Sequence, residues 1–552
     1  MELIDQHTKK IMEGCKDRAR EAGLRFEDET LEYVVTNRDL LELSPKVMIP
    51  TLYDYWVHDV EVLKGKGKYE LYPSNPYETV INTRPAISYY NDNNPDWLNV
   101  MIFYHVLAHI DLFQHNVFFR HTWDYDFNGR ALSDKRIIAR LRSEKGRWVD
   151  YLIEFARGMD NLVGFHEALS RLNNHRAAGP LCKLDYYFDI FLQSQKSFKI
   201  SHYIAEIDRY NQCRNESPTR CEDAFFAPID MNHPEFQALY QKYRDHHVGD
   251  HQDLFEFMLT HSDFLNREEN QWMKTVIHVV RQTALFFQPQ IRTKIMHEGW
   301  ASYWHEKLFL QDDRIRSHEV EYARVNAGVT ALPRVGLNPY ALGMRLFQYI
   351  AEMADKGHYG YDYQRIKDQR QRATYDAATG SGTDTIFHIS RNYCDFMFIN
   401  EFVDQEFVDR HRLFVAGKRL NRTRMTWEYV VRSRDAAQYR QMLIDALYHP
   451  PQIDVDARRT EKGPLVLVHR FEGKPLVTEY IANTMLGIEY LWGRPVILET
   501  TERAPASPMP EPRALTGVYV ATEEKAPPPD AAWQRVRYTM QNRQLSREIL
   551  SD

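Results

Sequence analysis

From Trp97 to Phe119 the chain reads WLNVMIFYHVLAHIDLFQHNVFF, apolar on nearly every side of a helix. A helix hydrophobic all round belongs inside a protein. This one also carries His105, His109, Asp111 and Asn116, polar groups that must find partners there or cost free energy. At ~3.6 residues per turn, His105 and His109 project one above the other. Leu98, Ile102, Leu112 and Asn116 fall on or near the same stripe. Asn94-Pro95-Asp96 supplies the helix start. A second strong helical block runs from Asn270 to Phe287, where Gln288-Pro289-Gln290 breaks or kinks it, and resumes from Ile291 to Leu310. In that resumed stretch Glu298 and His305, two turns apart, share a face with Ile291, Ile295 and Ser302. Gly299 permits another helix to approach closely, and His297 and Glu306 lie elsewhere on the circumference.

The remaining pattern is mostly helical as far as residue 405. A helix over His7 to Ala22 stops at Gly23. Tyr69 to Ile81 reads as irregular or extended chain, followed by a short strand over Ile87 to Tyr90. Ser133 to Arg171 is helical, and Gln212 to Ala227, with Cys213 and Cys221, is loop-like. Asp150 with Glu154, and Asp185 with Asp189, have the spacing of paired carboxylate ligands. No Glu-x-x-His pair accompanies them, so they read as solvent-facing charge. His246, His247, Asp250, His251 and Asp253 crowd a polar loop, and its histidines read as exposed. Asn338-Pro339 opens a helix through Met353, Gly357 to Gly382 is exposed, and Thr385 to Phe407 is helical.

The texture changes after this. Strand Trp427 to Val431, helix Ala436 to Tyr448, strands Gln452 to Val455 and Leu465 to Arg470, helix Val477 to Trp492 and strand Arg494 to Leu498 follow in the order βαββαβ. That is the order of a ferredoxin-like module. The expected organisation is a mainly α domain over 1–405, a small C-terminal α+β module over 406–500, and a Pro-rich, disordered tail over 501–552.

A chain of 552 residues can bury a large core. Its net charge of -7 speaks against nucleic acid as an obligatory partner. No apolar run reaches the ~20 residues of a membrane span, and the N-terminus lacks the layout of a signal peptide. The five cysteines form no CxxC pair, so neither a disulfide framework nor a zinc ribbon is indicated. Cytoplasmic residence is the expectation. The aromatic fraction of 13% reads as a Tyr-rich core rather than a sugar-stacking platform. Walker, Rossmann and flavin motifs and the GxSxG elbow are all absent, so no nucleotide or flavin cofactor is expected.

The chemistry therefore concentrates on two helices. His105-x-x-x-His109 with a distant acid is one way to hold zinc, and Glu298 with His305 is the natural supplier of the remaining ligands. The other reading of the same spacing is a pair of hydrogen-bonded core histidines. In HExxH sites the base follows the first histidine; Val106 stands there, so Glu298 or Asp111 takes that role if the site is hydrolytic.

Five segments, TVINTRPAISYYNDNN, HVLAHIDLFQHNVFF, FFQPQIRTKIMHEGWASYWHE, NPYALG and NYCDFMFINEF, resemble the SpoVR family, stage V sporulation protein R and its relatives. The resemblance implies a link to spore cortex or cell-envelope formation and the company of a PrkA-type serine kinase. It also implies a shared pattern of His105, His109, Asp111, Glu298 and His305. Gln282-Thr283 stands where the family has an acidic pair, His297 where Asn is common, and His388 where relatives have Glu. If those acids serve the family's chemistry, this chain carries an altered or lost activity. Two functional readings follow. One is a zinc-dependent hydrolase acting on a peptide or amide bond of cell-wall material or its precursors, with His105, His109, Glu298 and His305 as ligands and Glu298, His305 and Asp111 assisting catalysis. The other is a non-catalytic assembly or regulatory factor working with the kinase; a redox metal centre is a third, weaker option.

Overall fold

The computed structural model describes residues 2–27, 29–36, 78–122, 127–164, 182–195, 200–216, 221–246, 253–421, 426–447, 450–460, 463–504 and 533–550. The expectations for 69–77, for the polar loop at 247–252 and for the proline-rich stretch at 505–532 lie outside them. The chain divides into two compact units. Unit 1 comprises Met1–Ala139, Ala168–Val248 and Phe286–His449; unit 2 comprises Arg140–Glu167, Gly249–Leu285 and Pro450–Asp552.

In unit 1, strand β1 (Glu2–Leu3) leads into helix α1 (Gln6–Glu21), whose first turn is capped by the Asp5 carboxylate accepting from the Thr8 N–H. The chain leaves α1 through Gly23 at φ +102°, a left-handed conformation that glycine adopts without steric cost. Strands β2 (Thr30–Val35), β3 (Glu78–Ile81) and β4 (Ala86–Asn91) complete a four-stranded sheet of order β1-β2-β4-β3, parallel only between β2 and β4. Helix α2 (Asp96–His115) follows, with every residue from Leu98 to Gln114 buried. It starts at Pro95 without a side-chain cap, and it ends where Asn116 turns extended and donates to the carbonyls of Ser390 and Tyr393.

Helix α3 (Lys294–Phe309) packs on α2 and is buried at every position from Ile295 to Ser302. The preceding helix, Gln271–Arg292, runs through Pro289 instead of breaking there, and the interruption falls at Thr293. A proline deprives the ladder of one N–H, whereas the new helix start is defined by Asp395. Its carboxylate accepts from the N–H groups of Ile295 (2.8 Å) and Met296 (2.9 Å). Two donors otherwise orphaned at the α3 N-terminus are thus satisfied from a segment far along the chain. Helices α4 (Glu319–Thr330) and α5 (Pro339–Asp355) follow, the latter capped by Asn338 with proline at its first position. A Cβ built on Gly299 would lie 2.4 Å from the backbone of Gly343, and one on Gly343 would lie 2.1 Å from the Ile295 carbonyl. The two backbones therefore touch, and only glycine fits at either position.

The stretch expected as one helix over Thr385–Phe407 is three: α6 (Gly382–Asn392), α7 (Asp395–Phe402) and the short Gln405–Arg410. Gln212–Ala227, expected as loop, lies largely in helices Ile200–Glu216 and Cys221–Asn232; the aromatic residues of the second, Phe225 and Phe226, are buried against Tyr187 and Phe236. One apolar cluster joins α1, α2, α3 and α5 through Met12, Phe103, Tyr104, Trp300, Trp304 and Phe347. Burying one such large side chain is worth about 1.5–3 kcal/mol. Several together outweigh the cost of drawing a few polar groups into the same interior.

The C-terminal chain is not ferredoxin-like. Strands β5 (Val415–Asn421) and β6 (Thr426–Ser433) form a separate hairpin which, with helix Ala436–Ala446, belongs to unit 1. Unit 2 holds a five-stranded sheet of order β11-β10-β9-β8-β7. Its strands are β7 (Gln452–Val455), β8 (Leu465–Arg470), β9 (Val496–Arg503), β10 (Trp533–Gln541) and β11 (Gln544–Ile549). A split βαβ unit needs another strand between its parallel pair. Here β8 and β9 pair directly, Leu465 opposite Val496, so β6 has no place in the sheet. Strands β10 and β11 arise from the stretch assigned to the tail, β10 alternating buried Val536, Tyr538 and Met540 with less buried positions. Among the described residues no helix is long and apolar enough to cross a membrane.

Candidate metal centre

His105 and His109 stand one turn apart on α2 and face Glu298 on α3, all three buried. The His105 and His109 Nε2 atoms are 3.1 Å apart. Glu298 Oε2 lies 3.9 Å from His105 Nε2 and 3.5 Å from His109 Nε2. Without an ion the two ring nitrogens share one hydrogen between them, and Glu298 Oε2 closes a triangle with them. With metal–ligand bonds of ~2.0–2.1 Å, donor atoms around a tetrahedral zinc are about 3.3 Å apart. The triangle has that size, and the set His105, His109, Glu298 is one that could hold a metal ion. Glu298 Oε2 and His109 Nδ1 have no hydrogen-bond partner although both are withdrawn from solvent. An unpaired buried carboxylate oxygen costs free energy, and a cation at the triangle would relieve it.

The electrostatics suit an anionic ligand among neutral rings. Burial, then the neighbouring imidazoles His109 and His305, hold His105 well below the usual histidine range. Burial alone would raise the Glu298 carboxyl. The polar imidazoles of His109 and His297 close beside it outweigh burial and hold the group well below the usual range. The second oxygen, Oε1, pairs with Lys294, whose side chain is largely exposed one turn earlier on α3.

The other expected residues sit differently. His305 lies behind His105: its Nδ1 is 2.9 Å from His105 Nδ1, and its Nε2 is 3.0 Å from Asn326 Oδ1 on α4. It thus contacts the far nitrogen of His105 and not the triangle. Asp111 is turned away from both His105 and His109. One oxygen accepts from the Arg25 N–H (2.8 Å) and the other from Trp300 Nε1 (3.0 Å), tying α2 to α3 and to the chain after α1. Its nearest imidazole is His115, at 3.7 Å. His388 is exposed on α6 beside Asn392, and the Thr283 hydroxyl donates to Val279 O within its own helix.

Two neighbours escaped the sequence reading. His297, placed elsewhere on the circumference, is buried with its ring 5.3 Å from that of His109 and its Nε2 3.6 Å from Glu298 Oε1. Burial holds it down at about 4. The signal was the His-Glu dipeptide on a helix buried all round, where no side of the circumference is outside. Asn326 was missed because nothing local marks it.

What the fold and the site define is a mostly helical protein with buried imidazoles facing a carboxylate across a helix pair. The family model described as SpoVR like protein matches residues 2–449, and the chain belongs to the SpoVR family. It is 23% identical over 398 residues to the "Uncharacterized protein YcgB" of Escherichia coli (strain K12), covering 69% of each chain. No solved structure matches.

Proposed function

We propose that the chain is a divalent-metal-dependent hydrolase, with zinc as the expected ion held by His105 Nε2, His109 Nε2 and Glu298 Oε2. The observation that carries this reading is the triangle of donor atoms, 3.1, 3.5 and 3.9 Å on a side, with one buried oxygen lacking any hydrogen bond. Three protein donors leave a position open, the arrangement of catalytic rather than structural zinc. When bound there, a divalent ion supplies Lewis-acid polarisation of a carbonyl. In this reading Glu298 Oε1, which faces Lys294 and His297, takes the proton of an attacking water and passes it to His297 Nε2. The bond attacked is a peptide or amide of cell-wall material or its precursors, as the family's link to the spore cortex suggests, and the chain acts in the cytoplasm.

The test is elemental analysis of purified full-length protein, then release of amine from cell-wall stem peptides. The expected result is one zinc per chain, abolished by His109→Ala together with the activity. Stoichiometric iron would turn the reading towards redox chemistry. A metal-free, folded protein would sink it and favour a non-catalytic factor acting with a PrkA-type serine kinase. One observation favours that second reading: Trp427, Tyr429 and Val431 line one face of β6 and are all exposed, a stripe suited to docking.

A further inference from the structure

Behind the triangle runs a line of polar groups with a fixed direction. Glu306, on α3, accepts at one oxygen from Asn326 Nδ2 (2.8 Å) and at the other from Gln348 Nε2 (3.2 Å). A carboxylate only accepts, so the Asn326 amide must present its NH2 to Glu306 and its Oδ1 to His305. That oxygen also only accepts. His305 Nε2, 3.0 Å away, therefore carries the ring hydrogen. His305 is 1% exposed and meets no carboxylate directly, so it stays neutral and its Nδ1 is bare. The His105 Nδ1 facing it at 2.9 Å must then be the donor. A neutral His105 protonated at Nδ1 has its lone pair on Nε2, the corner of the triangle 3.1 Å from His109 Nε2. No hydrogen position need be observed, because the direction is imposed from the Glu306 end.

We propose that Glu306 and Asn326 are positioning residues that, through His305, lock His105 in the tautomer whose Nε2 lone pair points at the ion. This rests on the reading that His105, His109 and Glu298 hold a divalent ion. It assigns His305 to orienting a ligand instead of serving as one. Groups that hold a ligating histidine through its other nitrogen commonly change metal affinity 10- to 100-fold when removed.

The experiment uses the full-length protein and zinc alone. Asn326→Leu leaves His305 Nε2–H without an acceptor, and zinc affinity is expected to fall about 10- to 100-fold. The exchange Asn326→Asp with Glu306→Gln keeps the total charge and the acceptor for His305 Nε2–H while reversing the bond between positions 306 and 326, and is expected to restore affinity to within about threefold of the starting protein. In the metal-free protein, histidine 15N resonances give a second reading. The His105 signal, identified by its loss in His105→Asn, is expected to show a bare Nε2, and Asn326→Leu to mix the two tautomers. Should Asn326→Leu fail to fold, Glu306→Gln at its half-buried position removes the imposed direction and gives a smaller loss of the same sign. A starting protein that binds no zinc overturns the metal reading, while the resonances still decide the tautomer. Zinc bound as tightly by Asn326→Leu as before, with the His105 signal unaltered, overturns the relay.

Discussion

Glu298 and Glu499 are both withdrawn from solvent, one between helices of unit 1 and the other on the sheet of unit 2, and their surroundings differ in kind. Glu499 on β9 is saturated. Arg459 reaches both of its oxygens at 2.7 and 3.1 Å, Arg537 bonds Oε1 at 2.8 and 3.1 Å, and Arg535 stands 3.7 Å from Oε2. Those hydrogen bonds, Arg459 first, hold its carboxyl down at about 2. Glu298 has one lysine on Oε1, and imidazoles but no hydrogen bond at Oε2. A carboxylate with every lone pair matched secures local structure. One left short of hydrogen bonds beside two imidazoles belongs to a group that could hold a metal ion.

That contrast can be broken most severely by taking away His109. We expect His109→Ala to lose bound zinc altogether. A chelator should lower the melting temperature of the starting protein but not of the variant, because an ion at about a thousandfold its Kd stabilises the folded state by about 4 kcal/mol. Next in size is Gly299→Ala. Its added Cβ would meet the Gly343 backbone, which cannot rotate aside, and overpacking of this kind costs about 1–3 kcal/mol or more. Denaturant titration would read the loss, and zinc affinity should fall with it as Glu298 shifts.

Glu499→Ala should cost less, about 1–2 kcal/mol, because the arginines it abandons are partly exposed and regain water. Hydrogen exchange across β8–β10 would report it, with zinc content unchanged. The same residue has a pH signature. Its folded value of about 2 lies below the ordinary 4.5, so its contribution is complete above about pH 4.5 and is lost as the pH falls towards 2. Glu499→Gln should flatten stability across that window. The smallest effect is expected for Glu298→Gln without metal, a change within about 1 kcal/mol, since the substitution removes a buried charge that was only partly matched. A large destabilisation, with no zinc bound by the parent, would make Glu298 another structural carboxylate and erase the contrast.

The helices carrying the donors were legible because a run such as Val100–Leu112 is apolar on all sides and has one stable place, the interior. The near approach at Gly299 was legible for a similar reason, since a glycine on such a helix is most simply explained by a neighbour. Direction around the helix was less secure. His297 was set aside by angular position, yet on a helix packed from every side each direction meets another element. Asp111 was grouped with His105 and His109 by proximity in sequence, while the Trp300 indole and the Arg25 amide took its oxygens. The sheet of unit 2 was misread because local pattern reports strands but not their neighbours. The pairing of β8 with β9, and the return of β10 after a long proline-rich stretch, are properties of the assembled chain. The hydrogen-bonded line through Asn326 was hidden for the same reason.

The carboxylate of Asp395 has a consequence for how the protein is made. It fixes the first turn of α3 from about a hundred residues downstream. During synthesis, a ribosome that has just released residue 380 has delivered His105, His109, Glu298 and Asn326, but not the group that anchors the helix bearing Glu298. On the proposed metal reading, ion capture should therefore follow emergence of α7, and polypeptides halted before that point should leave the ribosome as apoprotein.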